Sequence, residues 1–211
     1  MGAQAAAAMN NKQSRQSSVR VDAVVLFAEL RNFTRMSEML EPDRVLELVD
    51  QFFECAARAV QAHGGEVLEV HNDSLMAAFR KGMAPEQARA AVRAAQQLFG
   101  DFDAVAQACE RDYGLRAAVA AGVHHGPVVV GEAGPASRRG QAVLGDCVSI
   151  AERLVHRARA GELVLSDAVM GVVSVSELEI DAEPLPPLEL HHRPAIRIYG
   201  VLRDDRLDFT A

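Results

Sequence analysis

The stretch VDAVVLFAEL, residues 21–30, is a nearly continuous run of apolar side chains with one carboxylate, Glu29, close to its end. A strand with one face in water alternates apolar and polar residues, whereas a run such as this one is typical of a strand buried on both faces. The stretch therefore predicts an interior strand of a sheet that other elements cover.

A second signal lies in EVLEVHNDSLMAAF, residues 66–79, where two apolar segments flank a short polar turn. Asn72 and Asp73 stand at the tip, and both residue types are common in tight hairpin turns, where a positive φ is tolerated. The stretch predicts a β-hairpin. Turn formation alone explains both residues, so this stretch by itself does not indicate a further role for the Asp73 carboxylate.

Apolar periodicity predicts two helices in the first half of the chain. Residues 43–63 carry a helical stripe of apolar side chains that Gly64 and Gly65 end. An alanine-rich helix is predicted over residues 85–99, extended by a second piece to about residue 112.

The second half of the chain mixes strands and helices. The stretch LRAAVAAGVHHGPVVVGEAG, residues 115–134, predicts two strands around His125. Asp146 is a candidate N-cap for a helix that runs to about Ala160, and residues 162–166 form a short apolar strand.

The last ordered segment, residues 178–202, predicts a hairpin that turns near His191. The order of strand, helix, hairpin, helix, hairpin and further elements predicts an α+β fold: a ferredoxin-like sandwich with one mainly antiparallel sheet covered by helices. We expect an N-terminal tail at residues 1–20, one domain over residues 21–202 and a polar tail at residues 203–211.

Net charge and cysteine usage narrow the function classes. The formal net charge is −7, which gives no reason to expect nucleic acid or an anionic membrane surface as a partner. No apolar run approaches the ~20 residues that a bilayer span needs, and no signal-peptide pattern opens the sequence. Three cysteines without CxxC or Cys/His spacing indicate reduced thiols in a cytoplasmic protein.

The two acidic residues noted above have two explanations on spacing alone. Glu29 closes a buried strand and Asp73 tips a hairpin, so two neighbouring strands would allow both carboxylates to hold a divalent ion between them. The simpler explanation gives each of them a turn or helix-capping role.

Four stretches in order resemble the catalytic domain of the class III nucleotidyl cyclases, the adenylyl and guanylyl cyclase family. They are VVLFAELRNFTRMSEML, HGGEVLEVHNDSLMAAF, AAGVHHGPVVVGEAG and AVLGDCVSIAERL. The resemblance runs from about Val21 to Val201. It implies that the ribose 3′-hydroxyl of a nucleoside triphosphate attacks the α-phosphate, so that a 3′,5′-cyclic nucleotide forms and pyrophosphate leaves.

The resemblance also implies cofactors, partners and site residues. Two Mg²⁺ or Mn²⁺ ions would be held by Glu29 and Asp73. Backbone amides after the first strand would contact the phosphates, at Leu30, Asn32, Phe33 and Thr34. Family sites lie at a dimer interface, so a homodimer is expected in which the partner supplies a transition-state pair, here Ser149 and Arg153. These two are i, i+4 on one helix, and a solvated helix face is the other explanation for Arg153.

The sequence departs from the family pattern at several of these positions. Glu29 stands where the family has Asp, which keeps the charge but adds a methylene, and Mg²⁺ demands near-ideal octahedral geometry. Ser149 stands where the family has Asn, and losing one such donor typically costs roughly 10² to 10³ in rate. Asn72 stands for a Gly beside Asp73, a mild change because Asn tolerates that backbone.

The two positions for base recognition show only half of the guanylyl-type pattern. Glu69 is the residue that guanylyl-type enzymes carry, and a carboxylate accepts hydrogen bonds from guanine N1–H and N2–H₂. Ala142, at the second selectivity position, has no side-chain hydrogen bond to offer. GTP is therefore weakly favoured over ATP. The other explanation of Glu69 is that it is an ordinary exposed residue of a strand. His191 lies near where the family places a phosphate-contacting Lys.

Two functions follow from the resemblance. The first is a homodimeric, metal-dependent cyclase that makes a cyclic nucleotide for signalling. The second is a degenerate cyclase-homology domain that binds a nucleotide or dimerises as a regulator without turnover. The retained pair of carboxylates and Arg153 favour the enzyme, whereas the departures at Glu29, Ser149 and Ala142 favour the regulator.

Overall fold

The computed structural model describes residues 18–203 apart from residues 136, 138 and 192. Most of the two expected tails, residues 1–17 and 204–211, therefore lies outside the described residues. The strands are β1 (Val19–Arg31), β2 (Glu66–His71), β3 (Ser74–Phe79), β4 (Ala118–Ala133), β5 (Gly140–Leu144), β6 (Glu162–Ser166), β7 (Glu183–Leu190) and β8 (Arg193–Leu202). The helices are α1 (Phe33–Met39), α2 (Pro42–Ala62), α3 (Ala84–Tyr113), α4 (Asp146–Arg157), α5 (Asp167–Met170) and α6 (Val175–Leu178).

β1 is an interior strand, as its apolar run predicts. It pairs antiparallel with β3 on one side and with β4 on the other. The sheet order is β2-β3-β1-β4-β6-β8-β7, and β5 pairs with β4 outside that path. The pair of β4 and β6 is parallel, while the other pairs are antiparallel. The expected α+β class, with a mainly antiparallel sheet covered by helices, is confirmed.

Both faces of β1 are covered because its alternate residues enter different cores. Val24 and Leu26 are fully buried in a large cluster with side chains of α2 and α3. Ala23 and Val25 enter a second cluster on the other face, with residues of α4. The covering on both faces explains why this strand reads as a continuous apolar run.

The prediction of two strands around His125 was wrong, because β4 is one strand of 16 residues. Its outer edge pairs with β6 only at Ala121–Val123 and with β5 from Val129 onward. Pro127 lies in the gap between those two partners, opposite Asp22 of β1. A proline without an N–H is tolerated where no ladder hydrogen bond is required on that edge.

Other predicted boundaries moved by small amounts. α3 is one continuous helix of 30 residues rather than two pieces, and it passes through Gly100, where an added Cβ would meet nothing within 4 Å. Asp146 is the first residue of α4 rather than its cap, and α4 ends at Arg157. β1 begins at Val19, two residues inside the expected tail. In the final hairpin, β7 ends at Leu190 and β8 begins at Arg193, so the turn lies near His191, as predicted.

Gly122 of β4 fixes how closely α4 packs on the sheet. A Cβ added at Gly122 would lie 2.3 Å from Val155 N and 2.7 Å from Ala151 O. Only a residue without a side chain allows the helix backbone this close to the strand. Gly122 thus sets the position of α4, which carries Ser149 and Arg153.

Within the described part of the chain, no helix combines the length and the apolar character needed to cross a bilayer.

Candidate active site

A cleft of about 450 Å³ opens where β1 ends and α1 begins, and we call it the β1 cleft. Ten residues line it: Glu29, Leu30, Arg31, Asn32, Phe33, Thr34, Arg35, Glu38, Met39 and Asp73. Six of them are residues that the sequence predicted for metal or phosphate contact. The structure therefore brings this part of the predicted site together.

Glu29 and Asp73 are adjacent because the hairpin of β2 and β3 lies alongside β1. Glu29 pairs with Ser74 across the sheet, and the backbone N–H of Leu30 donates to the carbonyl oxygen of Asp73 over 2.8 Å. That hydrogen bond ties the hairpin tip to the end of β1. Glu29 on β1 and Asp73 at the tip of the neighbouring hairpin thus line one cleft.

Two asparagines shape the backbone at the rim of this cleft. Asn32, between β1 and α1, has φ of 70°, and Asn72, at the hairpin tip, has φ of 49°. Both lie in the left-handed region, which Asn occupies more readily than other residues with a side chain. Asn32 also donates from Nδ2 to the carbonyl oxygen of Arg116 over 2.8 Å, which holds the turn in place.

Glu29 is already partnered by a cation of the same chain. Arg31 Nη1 donates to Glu29 Oε1 over 2.7 Å. The other oxygen, Oε2, is buried and accepts no hydrogen bond from the described residues. His156 Nε2 lies 3.8 Å from Oε2, too far for a hydrogen bond. Glu29 therefore has one satisfied oxygen and one unsatisfied oxygen.

The residues present offer a partial fit to a divalent metal site. Among the described residues, no group of three or more His, Cys, Asp and Glu side chains is placed to hold a metal ion. Glu29 and Asp73 nevertheless line one cleft, and the buried Oε2 of Glu29 lacks a donor. Two hard oxygen ligands suit Mg²⁺ or Mn²⁺, which commonly take few ligands from the protein and the rest from water and phosphate.

Ser149 and Arg153 lie elsewhere, on the outer face of α4. Both are exposed, and neither lines the β1 cleft. The inner face of the same helix is buried, with Cys147, Ile150, Ala151, Leu154 and Val155 against the sheet. One chain therefore does not bring the predicted transition-state pair to its own carboxylates.

Glu69 lines a second, smaller cleft of about 240 Å³, which we call the Glu69 pocket. Its walls include the apolar side chains of Phe27, Met76, Val143, Leu144 and Val148 and the polar residues Glu69, His71, Ser74 and Glu152. Ala142 is half-buried on β5, directly before two of these wall residues. His191 is exposed in the turn between β7 and β8 and is not among the residues that line the β1 cleft.

Sequence reasoning missed three polar residues in or near these sites. Arg31 lies two residues after Glu29, so strand alternation alone places both side chains on one face of β1. That spacing is a usable signal. Glu152 and His156 approach through the packing of α4 on the sheet, and their sequence separation from β1 and β2 leaves no local signal.

The three cysteines line neither of these two clefts. Cys55, Cys109 and Cys147 are all free and buried, as expected for reduced thiols. Burial raises the pKa of the Cys147 thiol to about 12, which keeps it protonated and unreactive near neutral pH.

The sheet has helices on both faces, and two carboxylates lie beside the loop after its interior strand; both features agree with a nucleotidyl cyclase catalytic domain. The model of the adenylate and guanylate cyclase catalytic domain matches residues 16–201. The chain therefore belongs to that family.

Individual relatives agree with this assignment. An adenylate cyclase of Anabaena cylindrica is 32% identical over 131 residues, which are 62% of this chain and 26% of the relative. The chain thus spans about a quarter of the length of that curated relative.

Solved structures share the fold at lower identity. The adenylyl cyclase CyaB from P. aeruginosa superposes with a TM-score of 0.81 at 21% identity, covering 90% of this chain and 98% of that one. The guanylyl cyclase Cya2 superposes with a TM-score of 0.76, also at 21% identity, with the same coverage of 90% and 98%. Both an adenylyl and a guanylyl cyclase thus share this architecture.

Proposed function

We propose that this chain is a nucleotidyl cyclase catalytic domain that converts a nucleoside triphosphate to a 3′,5′-cyclic nucleotide and pyrophosphate. The observation that carries the proposal is the pair of carboxylates, Glu29 and Asp73, in one cleft beside the loop that follows β1. The buried, unsatisfied Oε2 of Glu29 supports a cation at this position. Family membership supplies the reaction class.

Two divalent ions, Mg²⁺ or Mn²⁺, would lower the pKa of the ribose 3′-hydroxyl and offset the charge of the phosphates. Glu29 and Asp73 are the residues that would hold them. The backbone from Leu30 to Thr34 lines the same cleft, so its N–H groups are available to the phosphate oxygens. A net charge of −7 gives the triphosphate no general attraction, so metal ions and local donors must provide it.

We propose a homodimer in which each active site combines two chains. Ser149 and Arg153 are exposed on α4 and outside the β1 cleft of their own chain. Val129 and Leu144 pair across β4 and β5 and are 40% and 61% exposed, an apolar patch beside the Glu69 pocket that a second chain would cover. Arg153 of one chain would then stabilise charge on the phosphate held by the other.

The Glu69 pocket is proposed to hold the base, with guanine preferred. Its floor is apolar, and the carboxylates of Glu69 and Glu152 both line it. Such a pocket offers acceptors to the donors N1–H and N2–H₂ of guanine, whereas adenine would present its own N1 acceptor. Ala142 contributes no side-chain hydrogen bond, so the preference rests on the carboxylates.

Turnover by the purified chain tests the reaction. The protein is incubated with Mn²⁺ and GTP, ATP, CTP or UTP, and cyclic product is measured by chromatography. Asp73→Ala should lower product formation by at least roughly 10²-fold, because it removes a metal ligand. Asp50→Ala is the matched control, since Asp50 is exposed on α2 and outside the β1 cleft. Equal product from the wild-type and Asp73→Ala proteins would refute the cyclase.

A second experiment tests the base preference. Glu69→Lys should reduce the ratio of GTP to ATP turnover by about tenfold, because an ammonium donates where the guanine edge requires an acceptor. Glu54→Lys, an exposed change on α2, makes the same charge reversal far from the pocket and should leave the ratio as it is. An unchanged ratio in Glu69→Lys would contradict the assignment of this pocket to the base.

The second candidate function, a regulator without turnover, is favoured by one observation. Glu29 is longer than the family's Asp and is already paired with Arg31 over 2.7 Å. A domain of this kind would bind nucleotide or dimerise but form no cyclic product. Nucleotide binding by equilibrium dialysis, together with no product from any of the four nucleotides, would favour this function over the cyclase.

A further inference from the structure

The ion pair inside the β1 cleft has a specific geometry. Arg31 follows Glu29 by two residues on β1, so both side chains leave the strand on the same face. Arg31 Nη1 donates to Glu29 Oε1 over 2.7 Å, and the two side chains are 19% and 17% exposed. Water and salt screen such a pair less than an ion pair on the surface, so the guanidinium remains a strong local charge.

The guanidinium is also held from its other side. Arg31 Nη2 donates to the carbonyl oxygen of Ala158 over 2.7 Å and to that of Val155. These carbonyls belong to the C-terminal end of α4, where unsatisfied C=O groups and the helix dipole favour a cation. Arg31 is therefore fixed by α4 and would stay beside Glu29 when the carboxylate meets another cation.

The two oxygens of Glu29 consequently differ. Oε1 accepts from Arg31, whereas Oε2 is buried with no donor among the residues that the structure describes. A buried carboxylate oxygen without a partner carries a desolvation cost, which a bound cation would remove. Oε2 has no hydrogen bond, and His156 Nε2 lies 3.8 Å from it, so Oε2 is the oxygen that would bind a metal ion while Arg31 keeps its position.

We propose that Arg31 is a built-in counter-ion that lowers the affinity of the β1 cleft for divalent cations. The inference rests on the proposed function, because it takes Glu29 and Asp73 as the metal ligands. Arg31 occupies one oxygen of Glu29, and its charge repels a dication bound to the other. It contacts the metal ligand rather than the substrate and is a positioning residue. The divalent-ion concentration at which the site fills is thereby raised.

Mn²⁺ binding by the full 211-residue chain tests this inference without relying on turnover. Titration followed by the electron paramagnetic resonance signal of free Mn²⁺ gives the dissociation constant. Arg31→Gln should bind Mn²⁺ roughly tenfold more tightly than the wild-type protein, because it removes the opposing charge. Arg31→Met, which keeps an unbranched stem, is a second charge-free variant and should shift the constant in the same direction.

Two further variants separate charge from packing. Arg93→Gln is the matched control, because Arg93 is exposed on α3 and does not line the β1 cleft; its effect on Mn²⁺ binding should stay within about threefold. Arg31→Lys keeps the charge and should bind Mn²⁺ within about threefold of the wild type, even though it loses the forked contacts to α4. Equal shifts in the Lys and Gln variants would assign Arg31 to packing and overturn the counter-ion.

The outcome also distinguishes this inference from the proposed function. If the wild-type protein binds Mn²⁺, Asp73→Ala abolishes that binding, and Arg31→Gln leaves the affinity unchanged or weaker, the counter-ion is refuted and the metal-dependent cyclase stands. If none of the proteins binds Mn²⁺, both are refuted. Thermal unfolding of each variant verifies that the comparison is made between folded proteins.

Discussion

The β1 cleft and the outer face of α4 carry the two halves of the proposed active site, and the chain builds them differently. In the cleft, Glu29 is held by Arg31, and Asp73 is tied to β1 through the Leu30 amide. On α4, Ser149 and Arg153 are exposed side chains that do not line that cleft. The carboxylate half is thus fixed within one chain, whereas the α4 half would act only across the proposed homodimer interface.

Mixing two inactive variants tests whether the two halves of the site come from different chains, and it should give the largest effect. Asp73→Ala and Arg153→Ala should each lower activity by at least roughly 10²-fold, because each removes one half of every site. In mixed dimers one site keeps both halves, so an equimolar mixture should recover roughly a quarter of the wild-type activity. Cyclic product is measured after subunit exchange has been verified by mass spectrometry. Exchange without recovery would show that the two halves do not meet across an interface.

A substitution at Gly122 should disturb both halves at once. Gly122→Ala places a Cβ 2.3 Å from Val155 N, so α4 must move away from the sheet. We expect the free energy of unfolding to fall by about 1–3 kcal/mol, measured by urea denaturation. Gly100→Ala is the matched control, because an added Cβ there meets nothing within 4 Å. Since Ala favours a helix more than Gly does, this variant should raise the free energy of unfolding by about 0.5–1 kcal/mol. A Gly122→Ala protein as stable as the wild type would show that α4 has room to shift.

The smallest expected effect sharpens the role of α4 itself. Ser149→Asn restores the family's amide on the outer face and should raise the turnover number by about tenfold, since one aligned donor is worth that much or more in a transition state. The binding constant for Mn²⁺ should stay unchanged, because Ser149 does not line the β1 cleft. The exposed Ser37 of α1 provides the control substitution Ser37→Asn. A change in Mn²⁺ affinity without a change in turnover would reverse the assignment of the two halves.

Much of the fold follows from local sequence signals. β1 is covered on both faces, so its sequence is a continuous apolar run, and that run predicts an interior strand. The Asn-Asp pair at residues 72–73 is typical of a tight turn and predicts the hairpin. The two long helices show the apolar stripes that pack them on the sheet. The predicted break inside β4 was wrong. A Gly-Pro pair usually ends a strand, but here Pro127 lies where the edge of β4 pairs with neither β5 nor β6. That gap exists only in the assembled sheet and leaves no local signal in the sequence.

The site was predictable in part for a similar reason. Glu29 and Asp73 were identified because Glu29 closes a strand, Asp73 lies at a hairpin tip, and the family pattern names both positions. Arg31, by contrast, donates to the carbonyl oxygens of Val155 and Ala158, which lie 124 and 127 residues further along the chain. Those contacts are made by backbone atoms at a helix end, which have no residue-type signature. No reading of residue types would have found them.

The hydrogen bond between the Leu30 amide and the Asp73 carbonyl, 2.8 Å long, has a practical consequence. A backbone amide exchanges its proton for deuterium only when its hydrogen bond opens. This one proton therefore records how often the two acidic positions part from each other, and nothing needs to be attached to the protein to observe it. If nucleotide and manganese bind in the β1 cleft, the exchange of this amide should become slower, whether or not any product forms.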